Sequence, residues 1–301
     1  MKLLVISYSQ TGQLNELIDN CIRGIDTVDI DRIEYKPVKD FPFPWTSDEF
    51  FETMPESVLE VKTELEEITY KHDKYDLIIL GYQPWFLSPS VPTSSLLQEE
   101  SFLARVKDTP VITIIGARNM WINSQKSVSK RIAAAGGKIV GNIPFIDTHN
   151  NYVSAFTILH WMLKGQKTRK WGFLPKPGVS DKDIEGAADY APILKKAIQD
   201  NDFSNLQTAI LKLGNISIGS GILFVETAGR RVFNIWAGLI TRLGDKPAKR
   251  RMLVRLYKYY LVVALFFIAP IVVTVFRLLV LPFVYPMINK RKSYICSTKL
   301  T

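Results

Sequence analysis

The chain has 301 residues, of which 47% are hydrophobic and 22% are charged, a composition that excludes a disordered or low-complexity protein. Its net charge of +9 is unevenly distributed. Residues 242–301 carry twelve Lys and Arg against one Asp, a charge of +11, which leaves −2 on residues 1–241. Because the body has no basic excess, we expect no nucleic-acid partner.

The two cysteines, Cys21 and Cys296, are too few and too far apart for a disulfide framework. No Cys/His spacing resembles a metal site, so no metal is predicted. The apolar run at residues 3–7 is too short for a signal peptide. We therefore expect the body to lie in the reducing cytoplasm.

Strand and helix patterns alternate along residues 1–147. Continuous apolar runs, typical of strands buried on both faces, occupy residues 3–7, 75–81, 110–116 and 138–145. In residues 28–33, apolar and polar residues alternate, as in a half-buried strand. Helical periodicity occupies residues 14–23 and 124–135. This alternation predicts βαβ units, and hence an α/β fold with a doubly wound five-stranded parallel sheet in a domain of residues 1–150.

Two regions interrupt that alternation. Residues 40–45 (DFPFPW) contain prolines that exclude a central strand, so they predict an aromatic loop or flap before an acidic helix at residues 55–70. Residues 151–241 predict a helical extension. Its helical patterns cover residues 153–163, 181–199, 206–213 and 232–243, with a turn-rich connector at residues 170–178.

The tail, residues 242–301, is predicted to associate with a membrane. Residues 259–276 contain no charge, and eleven uncharged residues follow Arg277, whereas a membrane-spanning helix needs about 20 apolar residues. Pro270 and Pro282 offer bends. Basic residues flank the span at both ends, which favours a re-entrant or in-plane hairpin returning to the cytoplasmic side, although a single tilted crossing stays open.

The loop after the first strand, residues 9–14 (SQTGQL), has the features of an anion site. Hydroxyls and backbone N–H groups meet there at the start of a helix. The loop lacks the further glycines of a dinucleotide fingerprint and the Gly-Lys-Ser/Thr of a nucleoside triphosphate loop, so a phosphate monoester fits best. A plain Ser/Thr helix cap is the alternative.

Residues 5–13 (VISYSQTGQ) resemble the FMN phosphate loop of flavodoxin-like proteins, with Leu14 where that pattern has its last Thr. Residues 75–86 (YDLIILGYQPWF) resemble the third strand and flavin-ring loop of the same group, and residues 116–121 follow a further strand. Trp85 and Phe86 would supply a flat apolar wall. The resemblance implies FMN contacts from Ser9, Gln10, Thr11, Gly12, Gln13, Leu14, Gln83, Pro84, Trp85, Phe86, Gly116, Ala117, Arg118 and Asn119.

The whole chain also resembles the dialkylresorcinol-condensing enzymes of flexirubin and aryl-polyene gene sets. The resemblance rests on residues 161–172 (WMLKGQKTRKWG), the turn at residues 175–180 (PKPGVS) and the basic, apolar tail. It implies an FMN-dependent oxidoreductase on the cytoplasmic face of the inner membrane that aromatises a long-chain cyclic diketone. It also implies a ketosynthase or an acyl carrier protein as partner, and NAD(P)H is a further candidate cofactor.

Acid/base candidates are few, because the chain has three histidines. His149 follows the last predicted strand and is a candidate base, with loop capping as the alternative. Tyr82 is a candidate hydrogen-bond donor to the flavin ring, with a core position as the alternative. Two other functions stay open. They are a membrane-bound NAD(P)H:quinone reductase and a non-enzymatic electron carrier or anchoring module for a ketosynthase.

Overall fold

The structure, a computed structural model, describes residues 1–26, 28–169, 171–243 and 246–298. Lys170 of the predicted connector, Asp245, and residues 299–301 of the predicted tail lie outside the described residues.

A parallel sheet forms the centre of the molecule. The strands are β1 (Lys2–Ser7), β2 (Asp29–Glu34), β3 (Leu77–Tyr82), β4 (Pro84–Trp85), β5 (Ser88–Pro89), β6 (Pro110–Ala117) and β7 (Lys138–Ile146). Five of them form the sheet in the order β2-β1-β3-β6-β7, and every neighbouring pair is parallel. This is the flavodoxin-like doubly wound order, in which ligands bind outside the carboxyl ends of the strands. The predicted fold class is confirmed.

Both faces of the sheet are buried, which explains the continuous apolar runs. Along β1, Leu3 and Val5 join one core cluster, whereas Leu4 and Ile6 join the other. The same alternation holds in β3, where Ile79 faces the first cluster and Ile78 the second. Each strand therefore contributes to two cores, and each face needs a layer of helices.

The helices are α1 (Gln13–Cys21), α2 (Ser47–Glu52), α3 (Met54–Val58), α4 (Val91–Leu96), α5 (Glu100–Val106), α6 (Ile122–Ala134), α7 (Asn151–Lys164), α8 (Asp181–Gly186), α9 (Ala191–Asp200), α10 (Leu206–Lys212), α11 (Ser220–Arg242), α12 (Pro247–Val263), α13 (Ala269–Val275) and α14 (Leu281–Cys296). Helices α1, α8, α9 and α10 cover one face of the sheet. Helices α4, α5 and α6 cover the other, with residues from α11 and α14. The predicted boundaries at residues 150 and 241 fall beside the first residue of α7 and the last of α11, and they stay predictions.

The acidic helix predicted at residues 55–70 is wrong, because α3 ends at Val58. Glu60 follows with a left-handed φ of 54°, which stops the helix. Its carboxylate accepts hydrogen bonds from Ser127 Oγ at 2.6 Å and Arg131 Nε at 3.0 Å. The chain then runs extended and pairs Leu65 with Pro37.

Two other helix predictions differ in extent from the structure. The helix predicted at residues 181–199 is divided by a 3₁₀ turn at Ala187–Tyr190, after which Pro192 lies in the first turn of α9. The amphipathic helix predicted from residue 232 begins at Ser220.

The tail is helical from Pro247 to Cys296, and this stretch is long and apolar enough to cross a membrane. Turns of π-helix at Ala264–Ile268 and Phe276–Val280 immediately precede Pro270 and Pro282. Each π turn contains the residue four before the proline, where the ring would otherwise clash with a helical carbonyl. The two prolines therefore mark the irregularities of the helix, but the helix continues through both, so the predicted hairpin is wrong.

The tail contacts the body at several points along its length. Tyr257 packs against Phe51 of α2 and Phe233 of α11. Phe276, Ile288 and Ile295 join the core on the face of the sheet that α4, α5 and α6 cover. Arg291 Nη2 donates to Thr227 Oγ1 of α11 at 3.3 Å. The helix therefore lies against the body.

Candidate functional site

A cavity of about 230 Å³ opens at the carboxyl ends of β1, β3 and β6, and we call it the edge cavity. All three loops predicted to hold the cofactor line it. The predicted residues in the lining are Gln10, Thr11, Gln13, Leu14, Gln83, Pro84, Trp85, Phe86, Gly116, Ala117 and Arg118. Ser9, Gly12 and Asn119 belong to the same loops but do not line the cavity.

The first loop has the geometry of an anion cradle. Gly12 caps α1 with a left-handed φ of 80°, and a Cβ added there would have no atom within 4 Å. The first backbone N–H groups of a helix have no intrahelical partner and favour an anion. Ser9 Oγ is buried and has no hydrogen-bond partner among the described residues. A phosphate group would satisfy both the hydroxyl and the amides.

The helical extension closes this loop from the other side. Gln13 Nε2 donates to Val179 O, and Val179 N donates to Gln13 Oε1, both at 3.0 Å. Gly178 has a φ of 82°, and a Cβ there would lie 2.7 Å from Gln13 Oε1 and 2.8 Å from Trp161 Cζ3. Only glycine fits at this position. The turn at Gly178 and Val179 therefore fixes the side chain of Gln13, the first residue of α1.

The second loop presents a wall of aromatic rings. Strands β4 and β5 form a small hairpin whose two central residues, Phe86 and Leu87, have φ values of 46° and 65°. Such paired left-handed residues suit a two-residue hairpin, but each costs about 1–3 kcal/mol in a bulky side chain. The turn directs Phe86 into the cavity lining. Beside it, Gln83 Nε2 is buried without a partner among the described residues.

The predicted aromatic flap covers the cavity. Trp45 is buried at the end of the flap, with its ring 5.5 Å from the Trp85 ring, and its backbone N–H donates to Met162 O at 2.7 Å. Gln10 Nε2 ties the flap to the first loop through Pro42 O at 3.1 Å. Trp45 and Met162 are not among the predicted site residues, although both line the cavity. The prolines and aromatic residues of residues 40–45 indicate a flap. No local sequence pattern indicates that α7 forms a wall of the edge cavity.

Arg118 supplies a positive charge to the third loop. Its Nη1 donates to Asn151 O at 3.0 Å and to Asn151 Oδ1 at 2.9 Å. Burial lowers the pKa of Arg118 to about 10, and the charge of Asp147 opposes that shift. The group stays protonated at neutral pH. It can therefore stabilise negative charge on a ligand in the cavity.

The two acid/base candidates differ in their surroundings. His149 Nδ1 lies 2.7 Å from Asp147 Oδ1, and Asp147 also accepts from Ser154 Oγ at 2.7 Å. His149 is half-buried beside the third loop without lining the edge cavity. Tyr82 is fully buried, and its hydroxyl donates to Gln125 Oε1 at 2.7 Å. The structure thus places Tyr82 in the core and away from the cavity lining.

Comparisons with known proteins yield structural neighbours only. No protein-family model and no curated protein matches the chain. A flavoprotein in complex with FMN from Lactobacillus acidophilus is 17% identical with a TM-score of 0.39, over 48% of this chain and 92% of its own. An archaeal flavodoxin is 13% identical with a TM-score of 0.33, over 65% of this chain and 99% of its own.

A flavone reductase is also similar, at 13% identity and a TM-score of 0.34, over 66% of this chain and 64% of its own. These proteins are flavodoxin-like in fold. The assignment of the present chain to that fold rests on the strand order of its sheet.

Proposed function

We propose that this protein is a membrane-associated, FMN-dependent oxidoreductase that aromatises a dialkyl cyclohexanedione to a dialkylresorcinol. One observation carries the cofactor assignment. Unpartnered buried polar groups, Ser9 Oγ and Gln83 Nε2, lie in two loops of a cavity at the carboxyl edge of the sheet, where this fold binds ligands. Buried polar groups without partners are rare in folded proteins, so a polar ligand is the simplest way to satisfy them.

The residues of the edge cavity match the parts of FMN. The first turn of α1 and Ser9 would bind the phosphate, and Thr11 lines the cavity beside them. Trp85 and Trp45 would pack on the ring system, and Gln83 would donate to an oxygen of its polar edge. Bound FMN would supply a two-electron acceptor for hydride.

Aromatisation removes two hydrogens from the ring, one with its electron pair and one as a proton. His149, which lies beside the third loop outside the lining of the edge cavity, would take the proton. Asp147 is an acceptor when ionised, so His149 Nδ1 donates to it and Nε2 stays free as an acceptor. Arg118 would stabilise the negative charge that grows on a ring oxygen as the proton leaves.

The tail suits a substrate with long alkyl chains. Phe267, Ile271 and Phe283 are 65–84% exposed, a pattern that water disfavours and a bilayer favours. Basic residues at both ends of this apolar stretch would contact anionic headgroups on the cytoplasmic face of the inner membrane. A ketosynthase or acyl carrier protein would be the source of the substrate.

The test is a single turnover without oxygen. Full-length protein in detergent is reconstituted with FMN, mixed with one equivalent of a dialkyl cyclohexanedione, and followed by flavin bleaching and by mass spectrometry of the product. We expect one equivalent of dialkylresorcinol for each flavin reduced, with slower turnover in His149→Gln.

Two outcomes would contradict the proposal. Failure to bind FMN would favour an anchoring module. Reduction of quinones by NAD(P)H without resorcinol formation would favour the quinone reductase.

A further inference from the structure

A second cavity of about 390 Å³ lies between the tail and the body, and we call it the tail cavity. One wall is formed by the tail, including Leu265 and Ala269, and another by α11, including Val232 and Phe233. Among the described residues that line it, Arg118 alone carries a charge. An apolar cavity of this size with one charged group at its end suits an elongated amphiphile.

The tail cavity adjoins the edge cavity. Phe86 and Arg118 line both cavities, as do Phe50, Pro84, Ile158 and Leu159. Phe86 packs against Phe50 at 5.0 Å and lies 6.5 Å from Phe233, so it stands between the two spaces. The strained turn at Phe86 and Leu87 keeps this ring at the junction.

The tail helix has two different faces at this point. Ala264, Leu265 and Ala269 face the tail cavity, whereas Phe267 and Ile271 are each 65% exposed on the outside. In a bilayer, the outer face would contact lipid and the inner face would line the cavity. A hydrocarbon chain could therefore pass between the tail and α11 without entering water.

From this arrangement we infer that the tail cavity binds an alkyl chain of the cyclic diketone substrate or its resorcinol product, whose polar ring lies at Arg118 beside Phe86. The inference rests on the proposed function for the reaction at the head, but the chain site depends on geometry alone. The edge cavity would hold FMN and the reacting ring, and the tail cavity would hold one alkyl chain.

Binding of a homologous series tests the chain site. Alkylresorcinols with methyl, pentyl, undecyl and pentadecyl chains are titrated by calorimetry into the full chain in phosphatidylcholine nanodiscs, with and without FMN. Because the compounds also enter the lipid, the same series is titrated into protein-free nanodiscs. Relative to these, the affinity for the protein should rise with chain length until the cavity is full and then level off. The measurement without FMN separates this inference from the proposed function, since chain-dependent binding can occur whether or not the flavin reaction does.

Two pairs of variants locate the chain. Ala269→Phe and Val232→Trp fill the cavity from opposite walls, and we expect each to raise the Kd of the pentadecyl compound by at least about tenfold. Val275→Phe and Ile235→Trp add the same side chains at exposed positions of the tail and α11, and they should leave that Kd unchanged. The thermal unfolding midpoint of each variant reports whether the protein is folded.

Three results would overturn the inference. One is a Kd that does not depend on chain length, and another is an equal loss of affinity in the cavity-filling and exposed variants. The third is a copurified phospholipid that alkylresorcinols do not displace, because the cavity would then hold a structural lipid.

Discussion

Gly178→Ala should weaken FMN binding through Gln13, a residue 165 positions earlier in the chain. A Cβ at Gly178 would lie 2.7 Å from Gln13 Oε1 and 2.8 Å from Trp161 Cζ3, so the Gln13 side chain must move. Its two hydrogen bonds to Val179 contribute about 1 kcal/mol each. The left-handed backbone at residue 178 adds about 1 kcal/mol for any L side chain.

Gly172→Ala is a matched control, because Gly172 has a similar φ of 76° but a Cβ there would have no atom within 4 Å. We expect Gly178→Ala to destabilise the fold by about 3 kcal/mol and Gly172→Ala by about 1 kcal/mol. The difference of about 2 kcal/mol is the expected loss of folding stability from the displaced Gln13 side chain. Because Gln13 lines the edge cavity, the FMN Kd should rise in Gly178→Ala and stay unchanged in Gly172→Ala.

Chemical denaturation and FMN fluorescence titration measure the two effects. A double-mutant cycle with Gln13→Ala then tests whether Gly178→Ala acts through the Gln13 side chain. The effect of Gly178→Ala should shrink when residue 13 is alanine. Equal losses of stability and affinity in Gly178→Ala and Gly172→Ala would refute the reasoning.

Three further predictions follow from burial. Burial raises the pKa of Glu226 to about 7 from its ordinary 4.5, so the folded chain retains a proton that the unfolded chain releases. The free energy of unfolding should fall by about 3 kcal/mol as pH rises between these values, and Glu226→Gln should abolish that slope in denaturation curves. Phe276→Ala should cost about 3–5 kcal/mol because Phe276 is 6% exposed, whereas Phe283→Ala, at 84% exposure, should be near neutral in detergent. Trp85→Leu should raise the FMN Kd by about tenfold or more through loss of ring stacking, and Trp171→Leu, at an exposed position, should not change it in the same titration.

The sheet and the loops at its edge could be predicted from the sequence because their signals are local. A strand buried on both faces needs a continuous apolar run, and residues 3–7 and 110–116 have one. Parallel strands place their following loops at one edge, so Thr11, Trp85 and Arg118 could be expected to meet. They line one cavity in the structure.

The end of α3 could not be predicted, because its cause is distant in the chain. Glu60 leaves the helix to meet Ser127 and Arg131, which lie 67 and 71 residues away. Glutamate favours helices, and nothing near Glu60 in the sequence opposes one. The contact of Val179 with the first loop could not be predicted for the same reason, since its partner Gln13 is 166 residues away in the chain.

Helical periodicity does not predict which face of the tail is buried, because π turns interrupt the α-helix. Phe276 and Phe283 are seven residues apart, a spacing that puts both on one face of a regular α-helix. Their exposures are 6% and 84%, so the face must change between them. The π turn at Phe276–Val280 adds a residue to that turn, and Val280 departs from helical geometry with a φ of −108°. Leu281–Cys296 then presents Ile288 and Ile295 to the body instead of continuing the exposed stripe. An apolar count therefore identifies the tail, but the π turn decides which of its residues pack against protein.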